Sequence, residues 1–178
     1  MNLTPDAESR FRLQDYGKQP GIDGVSIVEL RRFNDDGGSM VELVRLSDAT
    51  CAELDGFRPA QINYSSVQPG AIKAFHVHRK QTDVWFVRPE DRMLLVLVDV
   101  REGSPASNRP MRILLGDGNA RLVRIPPGVA HGCRNLGNQP ASIIYLTDLH
   151  FSPDPAACDE GRLPWDLAGQ DVWDVSRE

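Results

Sequence analysis

The sequence predicts an all-β chain that closes into one antiparallel barrel, and three features carry the prediction. From about Val25 onward, short apolar stretches alternate with clusters of Gly, Pro, Asn and Asp at the spacing of a sandwich or barrel. Helix signals are sparse, with one short candidate over Ser47 to Leu54, capped by Ser47 or Asp48. The run Met93-Leu94-Leu95-Val96-Leu97-Val98 is apolar on both faces, as in a strand covered on two sides.

Strands are expected over Val25 to Leu30, Val41 to Leu46, Gln61 to Val67, Ala71 to His78, Val84 to Val87, Met93 to Arg101, Met111 to Leu115, Ala120 to Ile125 and Ser142 to Thr147. Turn compositions separate them, among them Asp35-Asp36-Gly37-Gly38, Gly116-Asp117-Gly118-Asn119 and Pro126-Pro127-Gly128. Residues 1–24 read as a short amino-terminal arm, 25–151 as the barrel, and 152–178 as a Pro-, Asp- and Gly-rich tail packed on it. Asp99 and Arg101 share one face after the apolar run, either as a salt bridge closing the strand or as a structural pair near a site.

With 178 residues, 40% hydrophobic and 25% charged, the chain has the composition of one ordinary globular domain. Lys+Arg 20 against Asp+Glu 25 leaves a net charge of −5, so no basic field exists to neutralise a phosphate backbone, and nucleic acid is not an expected partner. No apolar run approaches the roughly 20 residues of a spanning helix. The first residues, Met1 to Glu8, lack the basic and apolar segments of a secretory signal, so no membrane partner and a cytoplasmic location are expected. Cys51, Cys133 and Cys158 are odd in number and far apart, and read as reduced thiols; core packing is the default role for Cys133 beside His131.

Three of the four histidines fall in two stretches, Gly70 to Asp83 and Pro126 to Asn135. In a strand, His76 and His78 point to one face. Asp83 adds a carboxylate after the next turn and His131 an imidazole from a distant strand, a three-nitrogen, one-oxygen set able to chelate a divalent transition metal. A hydrogen-bonded polar cluster is the other reading of the same residues. The two stretches resemble the motifs of the cupin superfamily: G-x5-H-x-H-x3-4-E with Asp83 in place of Glu, and P-x-G-x2-H-x3-N, complete from Pro126 to Asn135. That resemblance implies a cupin-type antiparallel β-barrel, the jelly roll or double-stranded β-helix.

A narrower pattern runs through Gln61-Ile62-Asn63-Tyr64-Ser65, Lys73-Ala74-Phe75-His76, Val98 to Pro105, Ile125 to Gly132, Ile144-Tyr145-Leu146-Thr147-Asp148 and Leu163-Pro164-Trp165-Asp166. In this order, over about residues 25 to 175, the chain resembles the dTDP-4-dehydrorhamnose 3,5-epimerase family, which has R-G-L-H where Lys73 to His76 stand. Family members invert carbons beside the ketone of a nucleotide-linked 4-keto-6-deoxy sugar, without a cofactor. The resemblance implies His76 as base and Tyr145 as acid, with Gln61, Asn63, Lys73, His78, Asp83 and His131 as substrate contacts. It also implies a homodimer whose amino-terminal strands pair with the partner's sheet.

Three family charges are changed. The lysine of Q-G-K-L-V falls near Asp83, the arginine of D-x-R-G becomes Gly37, and the carboxylate of a C-terminal S-x-K-D stretch, the partner of the base, has no counterpart in the sequence. Three readings follow. One is an epimerase-type isomerase in which His78 and Lys73 polarise the ketone. Another is a metal-dependent cupin with one divalent transition metal on His76, His78, Asp83 and His131. The third is a sugar-nucleotide-binding cupin without turnover. The first two compete for His76, because a metal-bound imidazole has no lone pair left to take a proton.

Overall fold

A computed structural model describes residues 2–13, 21–48, 50–54, 56–107 and 109–175. The helix α1 (Pro5–Arg10) precedes the strands β1 (Ser26–Glu29), β2 (Arg32–Asp35), β3 (Gly38–Val41), β4 (Leu46–Ser47), β5 (Thr50–Cys51), β6 (Gln61–Val67), β7 (Ile72–His78), β8 (Asp83–Val87), β9 (Arg92–Asp99), β10 (Met111–Gly116), β11 (Arg121–Ile125), β12 (Val129–Asn135), β13 (Ala141–Thr147) and β14 (Glu160–Arg162). A 3₁₀ turn over Gln170–Trp173 follows. Two antiparallel sheets of five strands hold the chain together, in the orders β1-β11-β8-β13-β6 and β10-β9-β12-β7-β14. Between them lies the main core, where Met93, Leu95 and Leu97 of the second sheet meet Val67, Trp85, Val123 and Ile143 of the first. This is the cupin-type β-barrel.

The doubly apolar β9 has a cover on each side. Met93, Leu95 and Leu97 point into the barrel, while Leu94, Val96 and Val98 pack outward with Phe75 under Val172 and Trp173 of the tail. The Phe75 and Trp173 rings lie 5.3 Å apart, and the Trp173 indole N–H donates to the Trp165 carbonyl at 2.9 Å, so the buried indole leaves no donor unpaired. No helix among the described residues is long and apolar enough to cross a membrane.

Several elements differ from expectation. In place of a helix over Ser47 to Leu54, β4 and β5 make a two-residue pair around Asp48, whose φ of 50° is left-handed and cannot continue a helix. This turn delivers Cys51 and Leu54, with Phe57, onto Val84, Phe86, Leu122 and Leu146 on the outer face of the first sheet. The strand expected over Val41 to Leu46 ends at Val41, where the β2–β3 hairpin closes; Arg45 beyond it pairs with Glu42 at 2.8 Å. The strand β12 carries His131 but has a glycine and polar residues where apolar alternation would mark a strand. The short α1 begins with Pro5 in its first turn behind the Thr4 cap. The strand expected over Val25 to Leu30 is present as β1, paired with β11.

Candidate active site

Strand periodicity sets up the site. Along β7 His76 and His78, two residues apart, share the face that lines a cavity of about 690 Å³, while Phe75 and Val77 pack outward with Trp173; a register shift against β12 brings Lys73 to the cavity as well. All of Gln61, Asn63, Lys73, His76, His78, Asp83, His131 and Tyr145 line this one cavity. The imidazoles come from β7 and β12 of one sheet; Gln61, Asn63, Asp83 and Tyr145 come from β6, β8 and β13 of the other.

His76 Nδ1 lies 3.2 Å from Oε1 of Glu160, and Arg162 donates to the same oxygen at 2.8 Å. Glu160 and Arg162 reach the cavity because β14 docks antiparallel on β7, with Arg162 opposite His76. Gly161 between them allows the approach, since a Cβ there would come within 3.1 Å of the Val77 carbonyl. A carboxylate only accepts, so it favours hydrogen on Nδ1 and leaves Nε2 with the lone pair. Burial, then the Arg162 and His131 charges, push the His76 pKa down to about 4, against the pull of Glu160. Tyr145, half-buried on β13 with its ring tilted against Trp85, is pushed up by burial and by Asp83 and Glu160. At neutral pH these shifts leave a proton acceptor on one sheet and a protonated phenol on the facing one.

The other two imidazoles belong to a separate, buried group. His78 Nδ1 faces the Asp159 carbonyl at 3.0 Å and His131 Nδ1 faces the Val129 carbonyl at 3.1 Å. Their Nε2 atoms lie 3.9 Å and 3.4 Å from the two oxygens of Asp83. Burial works to raise the Asp83 pKa, but hydrogen bonding to His131 and Gln81 and the nearby imidazoles hold it below the ordinary value. Of the four residues weighed for a metal, only His78, Asp83 and His131 bring ligand atoms within 4.8 Å of one another. His76 is turned to Glu160 and stays outside that group.

Around these groups the cavity wall is tied down. Asp159 accepts from the backbone N–H groups of Arg79, Lys80 and Gln81, clamping the turn between β7 and β8. Lys73 Nζ donates to the Ser66 carbonyl at 2.7 Å, and Gln61 donates to Asn63 at 2.7 Å while accepting from the Phe151 N–H at 3.0 Å. Cys133 is buried, and its thiol is pushed up to about 12 by that burial, so it offers no thiolate at neutral pH. Asp99 and Arg101 lie off this cavity as a bidentate pair at 2.8 and 2.6 Å, reinforced by Ser104.

Glu160, Arg162, Gln81 and Asp159 escaped the sequence reading. Three residues of polar-glycine-polar chain in a Pro- and Asp-rich tail do not announce a strand. The only local signal was the alternation of Glu160 and Arg162 just before Leu163-Pro164-Trp165.

Two facing antiparallel sheets with a histidine-lined cavity between them define a cupin-type barrel with the groups for proton transfer. The model of the dTDP-4-dehydrorhamnose 3,5-epimerase family matches residues 19–166, and the chain belongs to that family. It is 43% identical over 145 residues to the spore coat polysaccharide biosynthesis protein SpsL of Bacillus subtilis, covering 82% of this chain and 91% of that protein. It is 34% identical to the probable low-salt glycan biosynthesis epimerase Agl13 of Haloferax volcanii, covering 83% of this chain and 90% of that protein. Among solved structures, a dTDP sugar isomerase from Desulfovibrio desulfuricans superposes with a TM-score of 0.70 at 31% identity, covering 82% of this chain and 87% of the other. A dTDP-6-deoxy-D-glucose-3,5-epimerase from Legionella pneumophila, in complex with dTDP-4-keto-L-rhamnose, gives 0.72 at 26% identity over 89% and 83% of the two chains.

Proposed function

We propose that this chain is an isomerase that inverts a carbon beside the ketone of a nucleotide-linked 4-keto-6-deoxy sugar, with His76 as base and Tyr145 as acid. The observation that carries this reading is their placement: the imidazole with its carboxylate partner stands on one sheet, and the phenol on the sheet facing it across the same cavity. Inversion needs a proton taken from one face of a carbon and one returned to the other. His76 Nε2 takes the α proton, and the electrons left behind move into the ketone to form an enolate. Glu160 holds the imidazole in the required tautomer and stabilises the imidazolium. Tyr145 O–H then gives its proton to the opposite face, and exchange with solvent returns a proton to the phenolate and removes one from the imidazolium. Similarity to an isomerase and to an epimerase holding a nucleotide-linked keto sugar supports the substrate class.

Incubation with dTDP-4-keto-6-deoxyglucose in D₂O tests the reading. Deuterium is expected at a carbon beside the ketone, read by NMR and mass spectrometry; no incorporation with this or any other nucleotide-linked 4-keto sugar would refute it. The proposal includes a homodimer, and sedimentation showing only monomer at micromolar concentration would count against that part.

A further inference from the structure

We propose that Arg162 is a further catalytic residue, whose guanidinium donates to the ketone oxygen of the substrate and stabilises the enolate formed when His76 takes the α proton. The role rests on the isomerase reading. In that step the α C–H bond breaks and its proton goes to His76 Nε2. Its electron pair forms a carbon–carbon double bond, and the carbonyl π electrons move onto oxygen, which becomes negative. Arg162 keeps all its protons and meets that charge with N–H donors.

Orbital overlap fixes where such a donor must stand. The breaking C–H bond lies roughly perpendicular to the carbonyl plane, so base and acid occupy the two faces of the sugar and the oxygen points sideways, to a wall beside them. The strand β14 is the edge strand flanking β7, Arg162 stands opposite His76 in that pairing, and its side chain lines the cavity. One arm of the guanidinium fork is fixed: it donates at 2.8 Å to Glu160 Oε1, the oxygen that faces His76 Nδ1 at 3.2 Å. Glu160 is its only hydrogen-bonded partner among the described residues, and the side chain is 63% exposed. Its remaining N–H groups are therefore available to a ligand oxygen next to the base. The charge is felt there already, since after burial Arg162 is the largest cause of the lowered His76 pKa.

Other donors on the wall are committed elsewhere. A neutral imidazole has one N–H, and in His78 and His131 the Nδ1 atoms face the carbonyls of Asp159 at 3.0 Å and Val129 at 3.1 Å. Carbonyls only accept, so each ring keeps its hydrogen there and presents a lone pair at Nε2. The Gln81 amide and the Trp85 indole donate to Asp83. Lys73 is the only other lysine or arginine on the wall among the described residues. Its Nζ donates to the Ser66 carbonyl at 2.7 Å and to the Ser65 hydroxyl at 3.3 Å, both on β6 of the other sheet. The ketone-polarising role expected of His78 and Lys73 thus falls to Arg162.

The test compares wild type, Arg162→Gln and Arg162→Lys with dTDP-4-keto-6-deoxyglucose, by solvent deuterium exchange and steady-state kinetics. The comparison is made on the alkaline plateau of the pH profile, where His76 is unprotonated in every protein. Arg162→Gln is expected to lower α-carbon exchange and kcat by about 100-fold with KM little changed, and Arg162→Lys to recover part of the loss. Calorimetry with dTDP, which has no ketone, should give wild-type affinity for Arg162→Gln. Circular dichroism identifies a variant that does not fold, and Arg162→Met then carries the same comparison. Exchange by Arg162→Gln at the wild-type rate or faster on that plateau overturns the proposal and leaves Arg162 as a group that only tunes the base. Unchanged kcat with a raised KM and weaker dTDP binding overturns it as well, in favour of a diphosphate contact. A wild type that exchanges no nucleotide-linked 4-keto sugar removes the isomerase reading and this role together, whereas an active wild type with an unaffected variant removes this role alone.

Discussion

His76 and Glu160 meet across the β7–β14 pair, with Nδ1 3.2 Å from Oε1, and the carboxylate reaches the imidazole from a strand of the tail. Glu160 acts through the base, as a positioning residue. Glu160→Gln keeps the side chain's size and removes its charge, so the imidazolium formed during turnover loses its counter-charge. A fall in kcat of about 100-fold with little change in KM is expected in steady-state kinetics, and Glu160→Asp should recover part of it. An unchanged kcat would mean that His76 is oriented by something else.

Arg162 shares the same oxygen and holds a positive charge near the base. It lowers the His76 pKa, so Arg162→Gln should raise it from about 4. The acid limb of the kcat/KM profile should then move to higher pH, since more alkaline conditions are needed to free the lone pair. A limb that stays in place or moves to lower pH would contradict this.

How much of the site could be read in the sequence follows from where each part gets its geometry. Strand periodicity puts His76 and His78 of the H-x-H pair on one face, and the resemblance of the Pro126 to Asn135 stretch to the second cupin motif brings His131 to the same cavity, although β12 itself has no apolar alternation. Glu160 could not be placed, because its role depends on a three-residue strand docking on β7, a non-local pairing without hydrophobic alternation. The separation of His76 from the metal-like cluster was hidden for the same reason. At the fold level the barrel was legible from its apolar runs. The stretch around Asp48 misled because its composition fits a capped helix, while Cys51 and Leu54 are held by packing on the first sheet.

The Asp99–Arg101 pair makes a prediction about acid stability. Its hydrogen bonds to Arg101 and Ser104 hold the buried Asp99 carboxyl at about 2, against an ordinary value of 3.8. A depressed folded-state pKa contributes stability that is complete above the unfolded value and lost as pH falls through the folded one. The gap of 3.8 to about 2 corresponds to about 2 kcal/mol. In urea titrations Asp99→Asn should therefore be destabilised at neutral pH, with the difference shrinking between about pH 4 and pH 2. A difference independent of pH would rule out this linkage.

Gly132 lies in β12 between His131 and Cys133, where the pairing with β7 shifts register. A Cβ there would collide with the Ala74 Cβ and the Lys73 carbonyl. Gly132→Ala should lower stability by about 1–3 kcal/mol by overpacking and displace His131 from Asp83. Pairing it with Ala74→Gly should recover part of the loss, measured by thermal unfolding; no recovery would locate the strain elsewhere.

The most direct test of the proton-transfer assignment is solvent deuterium incorporation into a nucleotide-linked 4-keto-6-deoxy sugar by the His76→Asn and Tyr145→Phe variants. The expected result is loss of exchange at the α carbon in His76→Asn. In Tyr145→Phe, exchange should persist with the original configuration retained, because the imidazole can return a proton to the face it came from while nothing supplies the other. Wild-type exchange by His76→Asn, or inversion at the wild-type rate by Tyr145→Phe, would contradict the assignment of base and acid.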